Sequence, residues 1–243
     1  MSDRPPQPNA DRPDAPATLI PATLIIDLDG TLVDTVADLA RALNQLLATQ
    51  DLPRLPEGTV RKLVGRGVGR LVEWGLEAAG GRPDGQQLPE LVQAFKDIYE
   101  RDPASHSRPY DGVIETLDRW RGEAHTLAVC TNKPQSPSEA ILRDLALTPY
   151  FAAVAGGDRF AVRKPEAGHL TGTIELAGGD PARCVMIGDS ITDLDAARAA
   201  GIPIVLVDYG YTATPAAELG ADAVVSSFTQ IPAVLPGLLD RQA

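Results

Sequence analysis

Asp27 and Asp29 stand two residues apart in the stretch DLDGTLVD, directly after the apolar run TLII. Carboxylates that close at the end of a buried strand repel each other, and an opposite charge must offset the repulsion. Other polar groups close apolar runs in the same way. Thr131-Asn132 ends TLAVCTN, and Gly188-Asp189-Ser190 ends another run, with Asp193 one helical turn further. Lys164-Pro165 opens the helix candidate before that run. Asp27, Asp29 and Asp189 are hard oxygen ligands of the kind Mg²⁺ favours, and a divalent cation would offset their repulsion. Asp27 could then attack an electrophile as a carboxylate nucleophile. Asp29 could hold the proton a leaving group needs and afterwards activate water. Lys164 supplies fixed positive charge, Thr131 and Asn132 supply hydrogen bonds, and the Gly30 turn supplies backbone N–H donors. Together these groups suit a transferring phosphoryl group.

Such groups need a scaffold that brings strand ends together. Five or six short β-branched runs recur along the chain: TLIIDLD (23–29), TLAVCTN (126–132), FAAVAGGD (151–158), RCVMIGD (183–189), IPIVLVD (202–208) and, as the weakest pattern, ADAVVSS (221–227). Several are apolar on successive residues, as expected where both sheet faces are covered. Helical patterns lie between them, including GVIETLDRWR, SPSEAILRDLAL and ITDLDAARAAG, the last closed by Gly201. Strand–helix alternation predicts a doubly wound, mainly parallel, Rossmann-like α/β sheet, in which ligands bind beyond the carboxyl ends of the strands. Residues 35–108 break the rhythm, with helical patterns and no convincing strand. The expected organisation is an α/β core over 18–34 and 109–243, with a helical cap inserted over 35–108.

Composition narrows the function classes. A formal net charge of −11 over 243 residues argues against nucleic acid or anionic membrane as partner. No apolar stretch approaches the length of a membrane-spanning helix. The only cysteines, Cys130 and Cys184, lie in strand-like runs without zinc-ligand spacing and suit a reducing cytoplasm. Residues 1–17, rich in Pro, Asp and Arg, read as a disordered tail and not as a signal peptide. His106, His125 and His169 avoid the strand ends and read as structural or solvated. The VGRGVG segment reads as a flexible cap turn facing the core, where Arg66 could grip a substrate carboxylate with a bidentate fork. Oligomeric state is left open.

In order and spacing, DLDGTLVD, TNK, KP and GDSITDLDAARAAG resemble the four motifs of the haloacid-dehalogenase-like hydrolase superfamily. The resemblance runs from about residue 22 to 228. PYDGV (109–113), TNKP (131–134), GGD (156–158), DYGYT (208–212) and VGRGVGRLVE (64–73) are similar to its phosphoglycolate phosphatase branch. The resemblance implies a phosphoric monoester hydrolase, with 2-phosphoglycolate as the foremost small phosphorylated metabolite. Asp27 would form a phospho-aspartate, and Asp29 would act as general acid and then base. Thr131, Asn132 and Lys164 would hold the phosphoryl group. Magnesium would be held by Asp27, the main-chain carbonyl of Asp29, and Asp189, while Asp193 orients metal-bound water or Lys164. One departure follows the lysine, where Ala167 stands in place of the second proline of Lys-Pro-x-Pro. Alternatives within the superfamily are a phosphosugar mutase or phosphatase and a phosphonoacetaldehyde hydrolase, the latter needing Lys62 or Lys96 for a Schiff base. A receiver-like signalling module is the alternative from a different class.

Overall fold

A computed structural model describes residues 21–82 and 84–242, so the expected tail over 1–17 lies outside the described residues. The chain enters through β1 (Thr23–Ile26) and the short β2 (Val33–Asp34). Four helices follow, α1 (Val36–Thr49), α2 (Glu57–Arg61), α3 (Val68–Ala78) and α4 (Leu88–Glu100), before the short β3 (Arg108–Pro109). Helix and strand then alternate through α5 (Val113–Gly122), β4 (Thr126–Cys130), α6 (Gln135–Asp144), β5 (Ala153–Ala155), α7 (Ala167–Leu176) and β6 (Cys184–Gly188). The last elements are α8 (Ile191–Ala200), β7 (Ile204–Val207), α9 (Ala216–Leu219), β8 (Ala223–Val225) and α10 (Ile231–Leu239).

All six predicted runs form one parallel sheet in the order β5-β4-β1-β6-β7-β8. The doubly wound α/β expectation therefore holds. The continuous apolar runs follow from burial on both faces. Leu24, Ile26, Val129, Ile187 and Val205 pack on one face, where Trp120 of α5 meets Phe228 at 5.5 Å between ring centres. Ile25, Ala128, Met186 and Leu206 pack on the other, against Leu170 and Ile174 of α7 and Leu194 and Ala197 of α8. Each such Leu or Ile, fully buried, contributes about 1.5–3 kcal/mol relative to exposure.

Central β1 pairs with β4 on one side and β6 on the other. The chain leaves β1 for β4 and β5, then returns to β6 on the opposite side, so the crevice at the β1 carboxyl end is a topological switch point. Asp27, Thr131 and Asp189, the residues that directly follow β1, β4 and β6, share that rim.

No strand of the six-stranded sheet falls among α1–α4. Leu39, Leu43, Leu46 and Leu47 of α1 recur at helical spacing and join a core with Leu71 and Leu76 of α3 and Phe95 and Tyr99 of α4. The two passages between this helical layer and the sheet are tied by the antiparallel β2–β3 pair, with Val33 opposite Pro109 and Asp34 opposite Arg108. One expectation needs correction. Lys164 does not open a helix, because the residue before a proline is held out of the helical region. The helix begins at Ala167 with Glu166 extended at its N-cap, and Lys164 lies in the loop ahead of it. Among the described residues, no helix is long and apolar enough to cross a membrane.

Candidate active site

Lys164 is the electrostatic centre of the rim. Its ammonium lies 2.9 Å from Asp27 Oδ1 and donates to Asp193 Oδ1 at 2.6 Å and to the Cys130 carbonyl at 2.7 Å. Burial works against its charge, but Asp193 and Asp27 more than offset that and hold its pKa above the ordinary lysine range. Burial, aided by the charges of Asp193 and Asp29, pushes Asp27 up to about 7 against the opposing pull of Lys164. Asp189 is raised well above the carboxylate range by burial and by Asp193 and Asp27.

Asp27, Asp189 and Asp193 each place a carboxylate oxygen within 4.8 Å of the others. Ligand oxygens opposite each other across Mg²⁺ lie about 4.2 Å apart, so Asp27 and Asp189 of this set are close enough to hold the ion between them. A cation there would favour the charged carboxylates that burial now disfavours. Asp193 has both oxygens committed, Oδ1 to Lys164 and Oδ2 to the Ser190 hydroxyl at 2.7 Å and the Ser190 N–H at 3.1 Å. It orients its neighbours, and the reciprocal bond from Ser190 makes a capping box at the start of α8. Asp189 Oδ2 accepts the Tyr211 N–H at 2.6 Å. Gly30 has φ +84°, and a Cβ there would fall 2.4 Å from Asp189 Oδ2, so only glycine allows this approach.

Asp29 is held apart from Asp27. Its Oδ1 accepts the Thr35 hydroxyl at 2.6 Å, and Lys133 Nζ lies 3.2 and 3.3 Å from its two oxygens. Thr131 is buried, with its Oγ1 accepting the Lys133 N–H at 3.2 Å. Asn132 donates from Nδ2 to the Lys164 carbonyl at 2.9 Å, and its Oδ1 is buried with no hydrogen-bond partner. Asp27, Asp29, Thr131, Asn132, Lys164, Asp189 and Asp193 are therefore gathered at one rim.

Asp29 separates two cavities beneath the helical layer. The inner one, about 60 Å³, is lined by Asp27, Asp29, Thr131, Asn132 and Lys133, with Val68, Leu71, Phe95, Lys96 and Tyr99 opposite. The outer one, about 290 Å³, is bounded by Asp29, Asp189 and Tyr211 together with Lys62, Arg66 and Trp74. Arg66 is exposed and lies over the Trp74 ring at 5.7 Å, on the wall of the outer cavity and not the inner one. The histidines are occupied structurally. Those at 125 and 169 accept the N–H groups of Ala22 and Lys164, and His106 bonds Asp38.

Lys133, Thr35 and Tyr211 escape the sequence reading. The TNK triplet displays Lys133, but its partners lie far along the chain. The Tyr211 hydroxyl accepts the Thr35 and Val36 N–H groups at 2.7 and 3.1 Å and donates to Asp34 Oδ1 at 2.7 Å. Asp34 Oδ2 in turn pairs with Arg61 of α2 at 2.9 Å. The strand ends are thereby joined to the helical layer.

A family model described as haloacid dehalogenase-like hydrolase matches residues 24–207. The phosphoglycolate phosphatase of Caulobacter vibrioides is 48% identical over 211 residues, covering 87% of this chain and 89% of that protein. That of Mesorhizobium japonicum is 44% identical over 220 residues, covering 90% and 97%. A crystal structure of a predicted phosphoglycolate phosphatase from Haemophilus somnus superposes with a TM-score of 0.81 at 28% identity, covering 90% of this chain and 99% of that one.

Proposed function

The chain belongs to the haloacid dehalogenase-like hydrolase family, and we propose that it is a magnesium-dependent phosphatase that converts 2-phosphoglycolate and water to glycolate and phosphate. The relatives named phosphoglycolate phosphatases support the substrate. The observation that carries the chemistry is Lys164 bridging Asp27 and Asp193 while Asp29, two residues on, is held separately by Thr35 and Lys133. The two carboxylates thereby have separate partners, and a cation held at Asp27 would favour its ionised, nucleophilic form.

An Asp27 carboxylate oxygen attacks phosphorus, and the bond to the ester oxygen breaks. Asp29 gives that oxygen its proton, so glycolate leaves as the alcohol. Asp29, now a carboxylate, takes a proton from the water that attacks the phospho-aspartate, which releases phosphate and restores Asp27. Lys164, Thr131 and Asn132 hold the phosphoryl oxygens as charge redistributes. Asp27 and Asp189 would hold Mg²⁺, with the Asp29 carbonyl as the further expected ligand; when bound, the ion neutralises phosphoryl charge. Asp193 keeps Lys164 charged and aimed. The helices over 35–108 act as a cap that excludes bulk water, hinged at the β2–β3 pair. Buried Cys130 and Cys184 support a cytoplasmic setting.

The test is phosphate release from 2-phosphoglycolate with magnesium and with a chelator. Release that stops with the chelator and returns with magnesium supports the proposal. Absence of release in both, or magnesium-independent release, contradicts it.

A further inference from the structure

The inner cavity holds a charge that touches Asp29 and has not been assigned a substrate partner. Lys133 is buried, with 4% of its side chain exposed, in a cavity that Val68, Leu71, Phe95 and Tyr99 line together with Asp29, Lys96 and Glu100. An ammonium in such surroundings is costly unless it is compensated. Here Asp29 faces it at 3.2 Å and the Tyr99 ring lies beneath it at 4.5 Å. An anion on one side and an aromatic face on the other are the partners a buried ammonium requires.

If Asp29 protonates the leaving oxygen, that oxygen lies within one hydrogen bond of the Asp29 carboxylate. In 2-phosphoglycolate the substrate's own carboxylate is two covalent bonds beyond that oxygen. Asp29 borders both cavities, but Asp27, Thr131 and Asn132, which attack and hold the phosphoryl group, line only the inner one. The substrate carboxylate is therefore placed in the inner cavity, which at about 60 Å³ has room for a fragment of only a few heavy atoms. A carboxylate entering a cavity already lined by Asp29 and Glu100 needs a counter-charge. Among the described residues lining this cavity Lys133 is the buried cation; Lys164, also buried, faces Asp27 and is not on the lining. Lys96 is only half-buried and Arg66 is exposed on the outer cavity.

We infer that Lys133 is the specificity-determining residue for an anionic leaving group, its ammonium shared between Asp29 and the substrate carboxylate. This rests on the phosphoglycolate reading. Loss of one buried charge-assisted hydrogen bond corresponds to about a 10- to 100-fold loss of discrimination.

The experiment compares kcat/KM for 2-phosphoglycolate and for ethyl phosphate, whose leaving group is uncharged, in the magnesium-loaded wild type, Lys133→Met, Lys133→Arg and Arg66→Ala. Competitive inhibition by glycolate is measured on the same samples. In the wild type the ratio of the two kcat/KM values favours phosphoglycolate. Lys133→Met lowers that ratio about 10- to 100-fold and weakens glycolate inhibition, while Lys133→Arg recovers part of both. Because the effect is a ratio within one sample, a general loss of folded enzyme cancels. Equal losses on both esters with Lys133→Met, or a ratio that falls with Arg66→Ala and not with Lys133→Met, overturn the assignment to Lys133 while leaving the phosphatase reading in place. A wild type that does not distinguish the two esters removes the phosphoglycolate reading itself, and the inference with it.

Discussion

Asp193→Asn separates a positioning role for Asp193 from simple membership of an acidic cluster. The substitution preserves shape but removes the charge that faces Lys164 at 2.6 Å. At an effective dielectric of about 20, that attraction is about 6 kcal/mol. Two carboxylates lie within 4.8 Å of Asp193. Burial and its neighbours hold Asp189 toward the neutral form, so the change relieves chiefly the repulsion from Asp27, at least about 3.5 kcal/mol if it is ionised. The attraction wins, and the amide also replaces one of two committed acceptors with a donor. The net destabilisation is about 3 kcal/mol, at the lower end for a broken buried pair because Asp27 still faces Lys164 at 2.9 Å. For a chain of 243 residues this lowers the unfolding midpoint by about 6–12 °C. Thermal unfolding followed by circular dichroism, with a chelator present in every sample, reads the shift. An unchanged or raised midpoint would mean that cluster repulsion outweighs the Lys164–Asp193 pair, refuting the reasoning.

Two further perturbations probe the scaffold around the site. Asp38 accepts the His106 and Ser107 N–H groups and the Ser107 hydroxyl; burial pushes its pKa up, but the bonds from His106 and Ser107 prevail and hold it below the usual carboxylate range. Its contribution is therefore complete above the unfolded carboxylate pKa near 4 and is lost as pH falls through the lower folded value. Asp38→Asn should cost about 1–3 kcal/mol at pH 7, with the gap in midpoint from wild type shrinking as melts are taken from pH 5 down to 2; a gap constant with pH would contradict this. Gly30→Ala forces a side chain toward Asp189 Oδ2 from a backbone at φ +84°. It should cost about 1–3 kcal/mol in stability and raise the magnesium concentration needed for half-maximal phosphate release, and an unshifted magnesium titration would argue against Asp189 as a ligand.

The sheet was legible because both of its faces are buried: strands such as Thr23–Ile26 and Cys184–Gly188 need apolar residues at every position, and polar residues then mark where each strand stops. Asp27 shows how closely those marks follow the ladder, since its N–H still bonds the Ile187 carbonyl at 2.9 Å. The rim residues were legible for the same reason. Contacts between distant segments were not. Lys133 meets Asp29 across 104 positions and Tyr211 meets Asp34 across 177, and no local pattern encodes either meeting. Arg66 illustrates another limit. It sits between Gly65 and Gly67, both at positive φ, and the direction of its side chain depends on Trp74, a full two turns away in α3. Lys164 was placed on the wrong element because a Lys-Pro step reads as a helix start, whereas proline restricts the residue before it.

The nucleophilic role of Asp27 is tested most directly by acid-quenching magnesium-loaded enzyme during turnover of 2-phosphoglycolate and weighing the peptide that contains residue 27. The expected result is a peptide heavier by one phosphoryl group, with the added mass on Asp27, absent in Asp27→Asn and lost when the enzyme is diluted into substrate-free buffer before the quench. Phosphate release at the wild-type rate by Asp27→Asn, with no phosphorylated peptide at any quench time, would contradict it.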